Sequence, residues 1–275
     1  MNTAALKKAI LDMIEQEPGK VTPVSLENRM ARLFKSEKKH VRAILKDLMG
    51  EGELVYTYHF GNSYLEKSFN RPVRVSDRVV LKPANVSFEP GHGDVVIALD
   101  HGASFGTGEH PTTRLSIRGI EELTAKTSLF SQQKDTLMLD IGTGSGVLAL
   151  TALRFGISRA LATDTDPCAK DEARKNAKLN NLNSRFEIYE GELAALKPPV
   201  DLVTANLRFP TLVNLSAGID RLCDPEGYAV FSGVREDEFN DLSEAYARLG
   251  FLCHWKSFDQ GWVGGAFVKK SRICW

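Results

Sequence analysis

The sequence predicts an α/β fold, a doubly wound sheet preceded by a smaller, mostly helical N-terminal domain. Two observations carry this. In residues 137–166 the apolar run Leu137-Met138-Leu139 ends in Asp140, and a glycine-dense loop follows with Gly142, Gly144 and Gly146. The helix-forming stretch Val147–Leu153 comes next, then a second apolar run, Ala160–Ala162, ending in Asp164. Strand, glycine loop, helix, strand and acid, in that order, make the first half of a nucleotide-binding sheet. Upstream, residues 4–48 repeat apolar positions at helical spacing three times before residues 54–65 turn strand-like.

Taken in order, Leu6, Ile10 and Ile14 share one face of a helix over residues 4–16 that ends at Pro18-Gly19. Thr22-Pro23 opens a second helix with Leu26, Met30 and Leu33 inward. Ser36-Glu37 opens a third, with Val41, Ile44, Leu45 and Leu48 inward and Gly50 and Gly52 at its end. Leu54–Tyr58 reads as a strand, His59–Ser63 as a turn, and Tyr64-Leu65 as a returning strand. Three helices and a hairpin resemble a winged-helix domain over residues 1–70. In that arrangement Lys38, Lys39 and Arg42 lie on the outward side of the recognition-helix position, where they would meet nucleic-acid phosphate. The same residues also suit a solvated face of a protein-interaction module. Residues 1–70 hold eleven Lys/Arg against nine Asp/Glu, a net of only +2.

Residues 71–100 read as a connecting segment, with short β runs at Val79–Leu81 and Val95–Leu99. The loop Phe105-Gly106-Thr107-Gly108-Glu109-His110 then leads into Pro111-Thr112-Thr113, and Leu115, Ile117, Ile120 and Leu123 continue as a helix. Its hydroxyls and first N–H groups are placed to meet the polar end of a ligand, although threonines in a first turn also serve as plain caps. His110, before a proline at a helix start, reads as a capping or orienting residue.

The glycine loop runs G-x-G-x-G. The dinucleotide pattern G-x-G-x-x-G would need a glycine at 147, which is Val. Asp140, just ahead of the loop, is awkward beside a pyrophosphate and suited to an ammonium or sulfonium. This pattern resembles S-adenosylmethionine-dependent methyltransferases. Beyond it, Phe186–Tyr189, Asp201–Leu207 and Tyr228–Phe231 are further strands, and residues 211–222 and 236–249 are helical. Phe251–Phe258 and Trp262–Val268 are closely joined and must pair antiparallel.

One string is more specific. F-G-T-G-x-H-P-T-T, followed by D-I-G-T-G-S-G, then Asp164-Thr165-Asp166-Pro167 and the strand ending in Asn206, resembles the PrmA family, methyltransferases of a large-subunit ribosomal protein. The resemblance spans roughly residues 95–270. It implies a seven-stranded Rossmann-like methyltransferase sheet within residues 71–275, and S-adenosyl-L-methionine as cofactor with S-adenosyl-L-homocysteine as product. Cofactor contacts carry over to Thr113, Gly142, Asp164 and Asn206, with Phe105 and Thr107 as neighbours. Asp140 and Gly144 belong to the same loop. Asn206 would aim an acceptor amine, and Phe209 would offer a cation–π surface. The implied partner is a protein, ribosomal in the family. Two departures stand out. The N-terminal domain differs from the family's, and Asn206-Leu207-Arg208-Phe209 replaces the usual Asn-Ile-Leu-Ala.

Composition narrows the alternatives. The chain has 275 residues with 35 basic and 35 acidic side chains, so no net field draws it to nucleic acid or membrane. No apolar run approaches membrane-spanning length. Cys168, Cys223, Cys253 and Cys274 show no metal-ligand spacing and suit a reducing, cytoplasmic setting, with no metal expected. The competing classes are a nucleic-acid methyltransferase and a non-catalytic cofactor sensor.

Overall fold

The computed structural model describes residues 3–16, 21–59, 62–68, 71–100, 110–131, 134–197 and 199–270. The expected helix end at Pro18-Gly19, the tip of the turn at Phe60-Gly61, Cys274, and the loop residues Phe105 and Thr107 lie outside them. The chain divides at Arg71/Pro72 into two compact units.

In the N-terminal unit, α1 (Thr3–Gln16), α2 (Pro23–Leu33) and α3 (Lys38–Gly50) precede the antiparallel strands β1 (Leu54–His59) and β2 (Asn62–Lys67). Thr22 caps α2 by accepting a hydrogen bond from the Ser25 N–H. Leu6, Ile10, Leu26, Met30, Val41, Ile44, Leu45 and Leu48 form its core with Leu54 and Leu65. One sequence expectation changes here. Leu33, placed inward by its spacing, is exposed, because it falls in the last turn of α2, beyond the helix's packed stretch. Arg42 is exposed on the outward side of α3, and meets the Glu27 carboxylate at 2.8 Å. Lys38 and Lys39 are exposed.

In the second unit, β3 (Val73–Arg74), β4 (Val79–Pro83) and β5 (Val95–Leu99) form a small sheet of their own, with β3 antiparallel and β5 parallel to β4. The segment 71–100 is therefore structured throughout, and Val75, Val79, Leu81, Ile97 and Leu99 enter the main core.

The main sheet contains β6 (Leu137–Ile141), β7 (Arg159–Thr163), β8 (Phe186–Ile188), β9 (Val200–Asn206), β10 (Cys223–Arg235), β11 (Phe251–Asp259) and β12 (Trp262–Lys269). Their order is β11-β12-β10-β9-β6-β7-β8. Only β12 runs against the others, pairing antiparallel with both β10 and β11. The chain starts the sheet at its centre, winds outward to β8, then returns to lay β9 against the other side of β6. This reversal opens a crevice beyond the carboxyl ends of β6 and β9, the place where open α/β sheets bind ligands.

Strand alternation sends neighbouring residues to opposite faces. Met138, Leu202, Val230 and Ala266 face α4 (Pro111–Lys126), α5 (Val147–Phe155) and α6 (Pro167–Leu179). Leu139, Val203, Phe231 and Phe267 face α7 (Phe209–Leu222) and α8 (Phe239–Ala247). Phe231 lies 4.5 Å from the Tyr246 ring and 5.3 Å from Phe267, which locks α8 to its face. Buried on both sides, these strands read as continuous apolar runs rather than alternating ones.

A bulge interrupts the pairing of β10 with β12 between Phe231 and Val234. Gly233 sits there at φ +86°, and a Cβ on it would come within 2.4 Å of the Leu207 carbonyl oxygen. The bulge lets β10 pass directly beneath the segment leaving β9, where Leu207 N–H donates to the Ser232 carbonyl at 3.1 Å. Gly233→Ala is expected to lose about 2–4 kcal/mol, the left-handed backbone and the steric clash together. Urea unfolding followed by circular dichroism measures the loss, and a variant within 0.5 kcal/mol (~) of wild type would overturn the role given to the bulge.

Candidate active site

The glycine loop between β6 and α5 is built from below. Asp140 is fully buried. The Thr204 hydroxyl donates to one of its oxygens at 2.6 Å and the Thr143 hydroxyl to the other at 2.7 Å. Asp140 therefore anchors the loop to β9 instead of presenting a free carboxylate to a ligand, a correction to the sequence expectation. The physical reason is burial: both oxygens need internal partners once water is gone. The carboxyl is pushed up to about 6 by that burial, with the two hydroxyls pulling the other way.

Above it, the N–H groups of Gly142 and Thr143 both donate to the Thr163 carbonyl, at 2.8 and 3.0 Å, hooking the loop to the end of β7. Gly142, Gly144 and Gly146 all take positive φ, at +72°, +55° and +84°. Side chains are disfavoured there, which explains the glycine spacing read from the sequence. Asp164, just past β7, accepts from the Gly144 N–H at 2.9 Å and from the Asp166 N–H at 3.0 Å. Each oxygen has one donor and retains acceptor capacity.

Asn176 in α6 ties three pieces together. Its side-chain oxygen accepts from the Asp100 N–H at 2.9 Å, and its amide donates to the Ser145 carbonyl at 2.8 Å. Asn180, one turn on, both accepts from and donates to the backbone of Ala98. These asparagines hold β5 against the loop. Both are buried, Asn176 within α6 and Asn180 as its C-cap. At the end of β8, Glu190 meets Lys170 and Arg174, which hold its carboxyl below the usual range.

At the start of α4, His110 is the cap. Its Nδ1 accepts from the Thr112 N–H at 3.3 Å and lies 2.8 Å from the Thr112 hydroxyl. An accepting Nδ1 leaves the neutral ring's proton on Nε2. Burial, followed by Arg114 and Arg235, lowers the His110 pKa and favours that neutral ring. Next to it, Thr113 is 1% exposed and its hydroxyl has no hydrogen-bond partner among the described residues; the Ser145 hydroxyl in the loop is in the same condition. Buried hydroxyls of this kind are where a ligand's polar end completes the bonding.

Asn206 ends β9, half-buried, opposite Ser232 of β10. Phe209, proposed from sequence as a cation–π surface, opens α7 and packs against the core on the α7–α8 face. The aromatic ring that meets cations here is Trp262, which sequence reasoning did not single out. Arg235 lies 3.9 Å and Arg208 5.5 Å from its ring centroid, with the His110 ring edge-on at 5.0 Å. Arg235 and Trp262 are register partners across β10 and β12, a pairing that is invisible before the sheet is assembled.

The residues present fit S-adenosylmethionine. A carboxylate with spare acceptor capacity closes one side, a close-approach glycine turn forms the floor, and two unsatisfied buried hydroxyls await polar partners.

Comparison with known proteins agrees with this geometry. The family model described as ribosomal protein L11 methyltransferase (PrmA) matches residues 62–270. The ribosomal protein L11 methyltransferase of Heliobacterium modesticaldum is 34% identical over 186 residues, 67% of this chain and 56% of that protein. Its counterpart in Listeria innocua is 32% identical over 210 residues, 75% of this chain and 63% of that protein. A crystal structure of the ribosomal protein L11 methylase of Lactobacillus delbrueckii subsp. bulgaricus superposes with a TM-score of 0.64 at 28% identity, covering 73% of this chain and all of that one. The chain thus spans about 60% of the length of the curated relatives it matches. With the family pattern covering both the glycine loop and the strand ending in Asn206, the chain belongs to the ribosomal protein L11 methyltransferase (PrmA) family.

Proposed function

We propose that this chain is an S-adenosylmethionine-dependent methyltransferase that N-methylates a protein, with ribosomal protein L11 as the acceptor its family indicates. The observation that carries the reading is the crevice between β6 and β9, where the glycine loop, Asp164, Thr113 and Asn206 come from separate elements to one end of the sheet. The N-terminal unit, whose three helices and first hairpin strand precede the region matched by the family, serves in this reading as a winged-helix module that presents or selects the acceptor.

When bound, S-adenosylmethionine supplies an electrophilic methyl group, so the protein's task is position and electrostatics. Asp164 accepts the ribose hydroxyls, and its existing bonds to Gly144 and Asp166 keep it aimed. Thr113 and Gly142 line the methionine end. Asn206 accepts a hydrogen bond from the incoming amine and turns its lone pair toward the methyl. The amine must arrive unprotonated, and its proton leaves to water. His110 acts as the cap that sets the start of α4.

Three outcomes test this. Asp164→Asn should weaken binding of S-adenosylhomocysteine by about 10–100-fold in calorimetry, the loss of charge-assisted hydrogen bonds. Unchanged affinity would remove Asp164 from the ribose site. Asn206→Ala should lower the rate of labelled-methyl transfer to purified L11 by about 10–100-fold while shifting cofactor affinity less. Equal turnover would take Asn206 out of the chemistry.

The third concerns Asp140. Its carboxyl rises from 3.8 to about 6 on folding, so the folded chain holds this proton more tightly than the unfolded chain does. Its contribution is fully present below about pH 4 and is lost as pH climbs through 6, about 3 kcal/mol in all. Asp140→Asn lacks that loss. Between pH 4 and 7 the variant should gain about 3 kcal/mol relative to wild type in urea unfolding of the cofactor-free protein. A difference that stays constant with pH would show that Asp140 is not held protonated.

A further inference from the structure

Several polar clusters lie outside the cofactor cradle, and one has no structural duty. Along the carboxyl edge of the sheet beside Asn206 stand Arg114, Arg118, Arg208 and Arg235. The first two are committed: Arg114 forms a two-pronged pair with Asp259 at 3.0 Å on each side, and Arg118 meets the same carboxylate at 3.5 Å. Asp259 is thus already paired with two guanidiniums from α4. Glu238 accepts from the backbone N–H of Arg235 at 2.9 Å, not from its guanidinium.

Arg208 and Arg235 are different. Both are exposed, both approach the Trp262 ring, and no carboxylate among the described residues pairs with either. Their distances to one ring centroid put the two guanidinium carbons at most roughly 9 Å apart, close enough for one bound anion to accept hydrogen bonds from both. Stacking on an aromatic ring holds a guanidinium in place while leaving its in-plane N–H donors free. The pair is also well placed. Arg208 is two residues past Asn206, and Arg235 is three past Ser232, the register partner of Asn206. Three residues of strand are about 10 Å, the reach from a methyl-accepting atom to a neighbouring side chain in an extended acceptor.

We propose that Arg208 and Arg235, braced on Trp262, form an anion-binding subsite that takes a carboxylate flanking the methyl-accepting amine of a protein acceptor. This rests on the reading of the chain as a protein N-methyltransferase. A carboxylate fits that reading because it satisfies the two guanidiniums and can lie beside a lysine in the same peptide. The field of these arginines also reaches His110, whose charged form is disfavoured first by burial, next by Arg114 and Arg235, and further by Arg208.

The test uses the full chain saturated with S-adenosylhomocysteine and a fluorescent peptide carrying one lysine between two glutamates. Anisotropy gives its Kd against wild type, Arg208→Gln, Arg235→Gln and the double variant, beside the same peptide with glutamines and a single-stranded RNA oligonucleotide. The subsite predicts that the glutamate peptide binds at least about 10-fold tighter than the glutamine peptide in wild type, and that the double variant erases this preference. Arg208→Lys should restore part of it. A glutamate preference that survives in the double variant, or that is absent from wild type, overturns the subsite. So does RNA that binds more tightly than either peptide and loses affinity in the same variants, since the arginines would then be reading phosphate. Labelled-methyl transfer to the glutamate peptide and to purified L11 is measured separately. Arginine-dependent peptide binding without transfer to either refutes the protein-methylation reading and leaves the anion subsite standing.

Discussion

A buried carboxylate with two hydroxyl donors sets the geometry of the whole catalytic end. Asp140 links the glycine loop, through Thr143, to the fourth sheet strand in chain order, through Thr204. Those two strands, β6 and β9, are the neighbours between which the winding of the sheet reverses, so one residue fixes both lips of the crevice. An unpartnered carboxylate in that position would be strongly unfavourable, and the two threonines make it tolerable. The loop then adopts its three left-handed glycines over a floor that does not move. Every contact proposed for the cofactor depends on that floor.

Around this centre the supporting bonds run mainly from side chain to backbone. Asn176 and Asn180 bind the small three-stranded sheet to α6 and to the loop, and Asp164 binds loop backbone on both sides of itself. Such bonds fix where main-chain groups point while leaving few side chains inside the crevice. That arrangement suits a reaction whose reactive group arrives with the cofactor. A methyltransferase of the proposed kind gains by holding two ligands in line, and little by supplying acids or bases.

The acceptor side is built differently. Its residues come from the ends of β9, β10 and β12 and from the start of α4, and charge dominates there. Two arginines neutralise Asp259, while two others lean on Trp262 without an acidic partner among the described residues. In the proposed function the contrast divides the labour between a cradle that holds the cofactor and a charged rim that meets the acceptor. The N-terminal unit adds to the difference, since the family match begins only at residue 62. On its third helix Lys38, Lys39 and Arg42 are all exposed on the side first read as a nucleic-acid face, and Arg42 also pairs with Glu27.

Local sequence was enough wherever a single stretch of chain carries both the pattern and its consequence. The glycine spacing after an apolar run dictates a strand–turn–helix, because only glycine sits easily at positive φ. The closely joined Phe251–Phe258 and Trp262–Val268 runs dictate an antiparallel pair, and the apolar positions of the N-terminal helices dictate most of that unit's core. Sequence alone located the short runs at 79–81 and 95–99 but not their pairing into a sheet with Val73–Arg74, since strands of two to five residues are stabilised by packing on the main core. Nor did it separate Asp140 as a buried anchor from Asp164 as an accessible acceptor, since both are carboxylates at the end of a strand. Trp262 and Arg235 are 27 positions apart and meet only through strand register, and the half-buried packing of Phe209 against the α7–α8 core is equally a product of the assembled sheet. The chain's own order determines which turns and helices form; what each side chain faces is a long-range property, decided only when the sheet closes.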